Sequence, residues 1–263
     1  MKNFKNQKNK NNIEVIYGKN ACLGCIDGYK RGIKTRDIFT IYILQSKFDE
    51  YYKKIPNELK KIVQQVNNHE MFIQTHEQDK HQGIAMKVSK FKFLDIDNFI
   101  DKINEIHSKT QFCSIFLLDG VQDPHNVGNI IRSAFCLNVD GIILTERNSC
   151  EITSAVVRTS AGYSEQSLIS QIGNTSNAIT KLKKEGFTII GFDVNTNTND
   201  DLSKIIQNNE KCVFIFGSEG HGMKDLTKKN CDILIKLPMR KEAESLNVAN
   251  TTTIVGWEII KRQ

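Results

Sequence analysis

No stretch of the 263 residues approaches the ~20 apolar residues that a membrane helix needs. A membrane-spanning helix is therefore excluded, and no membrane partner is expected. Met1–Asn12 repeats Lys and Asn with no apolar core, so it does not read as a secretory signal. The seven cysteines are odd in number and scattered, which argues against a disulfide framework. Reduced thiols and a cytoplasmic location are expected. Cys22-x-x-Cys25 has no second Cys or His pair at zinc spacing, whereas a structural zinc site takes four ligands. Two packed thiols on a short helix are expected there, and no metal. No G-x-G-x-x-G follows a strand, which weakens an ordinary dinucleotide site. Gly217-x-x-x-x-Gly222 has the glycine spacing of a phosphate loop, but its lysine comes one residue late, at Lys224, with no Ser or Thr behind it. That argues against a nucleotide triphosphatase. No internal repeat is present.

What remains is an ordinary globular composition, 39% hydrophobic and 25% charged, in a chain long enough for two domains. The net charge of +6 is unevenly placed. Residues 1–90 carry a net +8 and residues 91–263 a net −2. A polyanion partner for the N-terminal third is one reading. A lysine-rich, solvated tail is the other, since four of those cations fall in the first ten residues.

Residues 1–12 are too polar to bury anything and are expected to be a disordered basic tail. Residues 13–90 read as a small α/β unit. It has a short helix over Asn20–Ile26, a buried strand over Ile38–Leu44 and a helix over Glu58–Asn67, the last from the spacing of Leu59, Ile62, Val63 and Val66. Residues 91–112 read as a linker with a helix over Asp95–His107, which sets Phe99, Ile103 and Ile106 on one side. Residues 113–263 alternate strands (Cys113–Leu118, Gly141–Thr145, Phe187–Phe192, Cys212–Phe216, Ile233–Leu237) with helices (Val127–Leu137, Ser154–Ala161, Thr175–Glu185, Lys224–Asn230, Leu246–Lys261). This predicts an α/β fold with a mostly parallel sheet. In such a sheet the functional loops lie past the carboxyl ends of the strands. The loops at Asp123–Gly128, Gly217–Met223 and Pro238–Ser245 each follow a strand and can share one edge.

Taken singly, the polar residues of these loops have plain readings. Asn126 caps a helix starting at Val127, Ser245 caps the last helix, and Arg132 is merely exposed. Glu219 between two glycines is either solvated or bound to a ligand, because glycine lets the backbone approach closely.

Together, three stretches resemble the motifs of the SpoU/TrmH family of RNA ribose 2′-O-methyltransferases, in the SPOUT superfamily. They are Leu118-Asp119-x-Val121-x-Asp123-Pro124-x-Asn126-x-Gly128-x-Ile130-x-Arg132, Phe216-Gly217-Ser218-Glu219-Gly220-x-Gly222-Met223, and Leu237-Pro238-Met239 followed by Ser245-Leu246-Asn247-Val248. Arg158-x-Ser160-Ala161-Gly162 is similar to the family as well. The resemblance covers 113–263 strongly and 13–90 more weakly, through Tyr17-Gly18 and His81-Gln82-Gly83-Ile84. Within the family the chain most resembles bacterial 23S rRNA guanosine methyltransferases of the RlmB type.

The resemblance implies a knotted methyltransferase domain over 113–263, its chain threaded into a deep trefoil, behind an RNA-binding domain. It implies a homodimer, S-adenosylmethionine as methyl donor and structured RNA as substrate, rRNA before tRNA. It places Gly217, Leu237 and Leu246 at the donor. It makes Arg132, Asn126, Glu219, Ser245 and Asn247 the catalytic set, with Arg132 at the ribose hydroxyl and Glu219 holding either Arg132 or the donor. Two departures stand out: Lys241 where the family usually has glycine, and Asn250 where a small residue is common. The alternatives are a tRNA methyltransferase, or a non-catalytic RNA-binding protein with an impaired cofactor loop.

Overall fold

The computed structural model describes residues 12–78, 80–196, 201–240 and 242–262. Residues 1–11 of the predicted N-terminal tail (1–12) and Lys241 lie outside the described residues. The chain divides into two units: residues 1–92 together with 151–166, and residues 93–150 together with 167–263.

The first unit holds β1 (Ile13–Tyr17), α1 (Lys19–Lys30), β2 (Ile38–Leu44), α2 (Phe48–Tyr52), β3 (Val63–Val66), α3 (Asn68–Thr75) and β4 (Ile84–Ser89). Its sheet runs β1-β4-β2-β3, with β4 antiparallel to both neighbours and β2 parallel to β3. The helix expected over Glu58–Asn67 is not formed. Asn57–Ile62 makes 3₁₀ turns and Val63–Val66 joins the sheet beside Ile41–Leu44. Asn67 does not end a helix but opens the next one. Its side chain accepts from Glu70 N (2.9 Å) while Glu70 Oε2 accepts from Asn67 N (2.8 Å), a reciprocal cap that commits Met71-Phe72-Ile73 to α3.

Segment 151–166, containing α6 (Ser154–Thr159), belongs to this unit through a buried ionic knot. The Arg36 guanidinium, fully enclosed, donates to Glu165 (2.9 Å), to Glu14 (2.7 Å) and to the carbonyls of Ser89 (2.8 Å) and Ile152 (2.6 Å). Thr35 Oγ1 donates to the other Glu165 oxygen (2.5 Å). Glycines let the backbones touch: a Cβ on Gly24 of α1 would lie 2.4 Å from Gly162 O. Arg158 lies over the Tyr17 ring, 4.7 Å from its centroid, and donates to the Tyr17 hydroxyl. The Arg158–Gly162 stretch is thus part of the clasp. Cys22 and Cys25 are both buried on α1, and burial pushes both thiols up.

The second unit holds α4 (Ile96–His107), β5 (Cys113–Asp119), α5 (Pro124–Cys136), β6 (Gly141–Thr145), β7 (Ile169–Ile172), α7 (Thr175–Lys184), β8 (Thr188–Phe192), α8 (Leu202–Asn208), β9 (Lys211–Gly217), α9 (Asp225–Asn230), β10 (Ile233–Ile235) and α10 (Val248–Ile260). All six strands are parallel, in the order β10-β8-β9-β5-β6-β7. β5 is buried along its whole length, as a central strand covered on both faces must be. α4 is capped by Asp95, which accepts from Asn98 N at 3.0 Å. Its Phe99 and Ile103 enter the core with Ile115, Leu117, Ile179 and Leu182, and Ile106 is half-buried. β7 and α8 have no counterpart among the predicted elements.

A candidate donor cleft and its polar triad

β5 and β9 are neighbours in register, Asp119 opposite Gly217, so the loops that leave them emerge side by side. The first loop ends at Asp123, whose carboxylate accepts from His125 N (3.2 Å) and Asn126 N (3.3 Å), with Pro124 in the first helical position. Asp123, not Asn126, is therefore the cap of α5. This frees the Asn126 side chain, buried in the first turn, for tertiary contacts. Its Nδ2 donates to Glu219 Oε1.

The second loop turns back between Ser218 and Gly222, which exchange backbone hydrogen bonds (3.1 and 2.9 Å). Gly217 has no room for a side chain: a Cβ there would lie 2.1 Å from the Gly222 carbonyl carbon. The third loop ends at Asn247, whose Oδ1 accepts from Ala249 N (2.8 Å). Asn247, not Ser245, caps α10. Its Nδ2 donates to Glu219 Oε1 (3.1 Å) and to Asn126 Oδ1 (3.2 Å). One carboxylate oxygen thus accepts two amide N–H groups from two different helix starts, and the three motifs meet in one triad. Glu219 Oε2 has no hydrogen-bond partner among the described residues.

Beside the triad lies a cleft of about 490 Å³, within the ~300–1,000 Å³ usual for small-molecule sites. Gly217, Leu237, Leu246 and Ser245 line it, with Glu219 and Asn247. Ser245 is exposed and outside the triad's hydrogen bonds. Arg132, expected at the ribose hydroxyl, is not brought to the triad or to the cleft of its own chain. α5 begins three residues before the predicted Val127, so Arg132 sits farther along it, six residues or roughly 9 Å from Asn126. It is exposed, does not line the cleft, and is not held by Glu219. Lys224, the lysine of the phosphate-loop spacing, lies 3.7 Å from buried Asp119 instead.

Sequence reasoning missed a fourth wall. Phe192 ends β8, Asp193 and Asn195 follow it, and all three line the same cleft, with Lys228 from α9. Phe192 stacks on Phe216 at 5.0 Å between centroids. Lys228 Nζ is 2.8 Å from Asp193. Burial alone would raise the Asp193 carboxyl, but the Lys228 hydrogen bond, the Asn195 amide and the Lys228 charge bring it below its ordinary value. The available signal was positional: the end of a strand adjoining β9 belongs to the functional edge.

Residues 114–257 match the SpoU rRNA methylase family. The chain belongs to the SpoU methylase family. Residues 15–94 of this SpoU methylase match the family described as RNA 2′-O ribose methyltransferase substrate binding. A Staphylococcus epidermidis protein described as a TrmH family tRNA/rRNA methyltransferase is 32% identical over 183 residues, 70% of this chain and 71% of its own. One of the same description from Staphylococcus aureus is 28% identical over 78% of this chain and 84% of its own. The fold of the SpoU methylase is that of an AdoMet-bound rRNA methyltransferase from Sinorhizobium meliloti (TM-score 0.76, 21% identity, 98% of this chain and 90% of that one). It is also that of the SpoU methyltransferase AviRb from Streptomyces viridochromogenes (TM-score 0.75, 17% identity, 98% and 92%).

Proposed function

We propose that this SpoU methylase moves a methyl group from S-adenosylmethionine to a ribose 2′-hydroxyl of RNA, with a guanosine of 23S rRNA as the target. The observation that carries the reading is the Asn126–Glu219–Asn247 triad beside the cleft. A non-catalytic RNA-binding protein with an impaired cofactor loop has no need of three motifs joined by hydrogen bonds. The substrate-binding family match and the +8 charge of residues 1–90 support an RNA substrate.

The cleft suits the donor in its chemistry. Phe192, Phe216, Leu237 and Leu246 offer apolar and aromatic walls for an adenine ring. Gly217 offers backbone polar groups without a side chain, and Glu219 an unshared oxygen. When bound, S-adenosylmethionine supplies a methyl group already activated by its sulfonium. The chain's task is then alignment and charge stabilisation. Asn126 and Asn247 fix the Glu219 carboxylate, and the helix starts behind them fix both amides. Arg132 orients phosphate and stabilises the oxyanion that develops at the 2′-oxygen. A guanidinium carries only donors and no acceptor, so Arg132 does not act as the base.

Because Arg132 does not reach the cleft of its own chain, the active site is assigned across a homodimer. α10 packs on α5 through Thr253 Oγ1–Ser133 Oγ (2.9 Å) and leaves Ile254 and Trp257, 42% and 58% exposed, uncovered near that seam. The trefoil knot is part of the same reading. It is supported by β10 at the sheet edge, followed by a loop that returns to the end of β9. A cytoplasmic site of action is supported by the odd, scattered cysteine set, in which Cys22, Cys25, Cys113 and Cys212 are buried as thiols. Rates of methyl transfer by Arg132→Lys and Arg132→Ala across pH test the Arg132 role. Loss in the Ala variant with partial rescue by Lys is expected, and full activity in both would remove Arg132 from the mechanism.

A further inference from the structure

The first unit carries a second cavity, of about 820 Å³, that the methyl-transfer site does not use. Its floor is apolar, formed by Leu44 and the Tyr51 ring, whose hydroxyl donates to Gln82 O (2.8 Å). Phe72 of α3 stands at its wall, 42% exposed despite its size. Lys19 and Lys47 lie at the rim, Lys47 at 3.1 Å and Lys19 at 3.8 Å from the shared Glu50.

The informative residue is His81. It is only 5% exposed, yet it lines the cavity. Its Nδ1 accepts the Gly83 amide (3.0 Å), so the neutral ring carries its proton on Nε2. Nε2 has no partner among the described residues. The imidazole is therefore largely buried, while its Nε2 is not enclosed and is open to a ligand in the cavity. Gln82 and Gly83 hold it there in left-handed backbone, φ 51° and 85°. Gln82 is a non-glycine in that region, a conformation that folds tolerate when the surroundings require it.

We propose that this cavity receives one unpaired nucleotide of the RNA substrate, its base on Phe72, an acceptor of that nucleotide on His81 Nε2, and its phosphate at Lys19 and Lys47. The inference rests on the RNA reading above and adds a substrate feature to it: the RNA presents an unstacked residue to the first unit while another ribose is methylated in the second. An aromatic platform, hydrogen-bonding groups for a base edge and lysines for the phosphate, here with Glu50 between them, are recurring means of gripping a splayed base, which a paired duplex does not present.

The test uses the full-length chain and two fluorescein-labelled RNAs, a hairpin with an eight-nucleotide loop and a blunt duplex of equal length. Anisotropy is followed at two salt concentrations, and S-adenosylmethionine binding is measured separately by calorimetry. The hairpin is expected to bind at least about tenfold tighter than the duplex. Phe72→Ala, at an exposed position that folding tolerates, is expected to lose about tenfold in hairpin affinity. His81→Asn is expected to lose about fivefold, and donor affinity to stay unchanged in both. Wild-type hairpin affinity in correctly melting F72A and H81N, equal affinity for duplex, or no binding of either RNA by the wild type each overturns the proposal. In the last case a protein or peptide partner takes the cavity. Hairpin binding that depends on Phe72, in a chain that takes no S-adenosylmethionine, would keep this inference and sink the methyl-transfer reading instead.

Discussion

Asn126→Asp isolates the triad by changing one amide nitrogen to oxygen. In the native arrangement Asn126 Nδ2 donates to Glu219 Oε1, which also accepts from Asn247 Nδ2 at 3.1 Å. An aspartate would set a second carboxylate within hydrogen-bond reach of the first. Two like charges ~3 Å apart cost roughly 1.4 kcal/mol at the dielectric of water and ~5.5 kcal/mol at an effective value of 20. Asn126 is buried but Glu219 is exposed, so the lower part of that range applies, ~1.5–2.5 kcal/mol. That corresponds to a fall in melting temperature of about 3–10 °C for a unit of this size. The defect has a sign in pH. The two carboxylates share a proton more readily when folded, so the pair's apparent pKa rises above its unfolded value. Stability is then retained in acid and lost as pH climbs through that raised value. Thermal melts of wild type and variant at pH 5 and pH 7.5 are the assay, with calorimetry of S-adenosylmethionine alongside. A gap that narrows at pH 5, with donor affinity about tenfold weaker at pH 7.5, is expected. Equal melting at both pH values would refute the triad as an energetic unit.

Glu165→Ala removes the buried carboxylate that accepts from Arg36 and from Thr35 Oγ1, leaving Arg36 to the half-buried Glu14 and two carbonyls, and about 3 kcal/mol of stability should be lost in denaturant melts. Gly217→Ala would press a methyl against the Gly222 backbone at 2.1 Å, and calorimetry should find donor binding abolished. Burial pushes Asp140 up to about 6, which favours the folded state in acid and costs stability as pH rises from about 4 through 6. Asp140→Asn, which still accepts from Ser114 N (2.8 Å), should gain about 2–3 kcal/mol on the wild type between pH 4 and pH 7.5 in paired denaturant titrations. Trp257→Glu places a charge on the exposed face of α10, and light scattering is expected to report a dimer for the wild type and a monomer for the variant.

The parallel sheet was legible because its strands are buried on both faces and read as unbroken apolar runs, as Cys113–Leu118 does. β7 escaped because four residues with Ser170 and Gln171 at the centre carry little apolar signal, and α8 because it is a seven-residue helix. The Glu58–Asn67 misreading has a definite cause: Leu59, Ile62, Val63 and Val66 fit a helical stripe, but Val63 and Val66 are held by the sheet and Asn67 by its reciprocal cap. At the site, the position of each loop after a strand indicated a shared edge, and it was the resemblance to the SpoU/TrmH motifs that picked out Asn126, Glu219 and Asn247 as a set. Local cap rules misassigned Asn126 and Ser245, because Asp123 and Asn247 are the stronger claimants two or three residues away. Asp193 and Lys228 left no trace in local pattern, for their pairing exists only once β8 and α9 are placed. Nor could the sequence reveal that Arg158–Gly162 clasps the first unit, which depends on Gly24 and Tyr17 lying more than a hundred residues earlier.

The central claim is most directly tested by incubating the purified chain with methyl-tritiated S-adenosylmethionine and, in separate reactions, unmodified 23S rRNA and tRNA, then digesting the products with alkali. A 2′-O-methylated ribose protects its 3′ phosphodiester, so the label should emerge in an alkali-resistant dinucleotide from 23S rRNA with guanosine on its 5′ side, and should vanish with Asn247→Ala. Label recovered on mononucleotides, or full labelling by the Asn247 variant, would contradict the account.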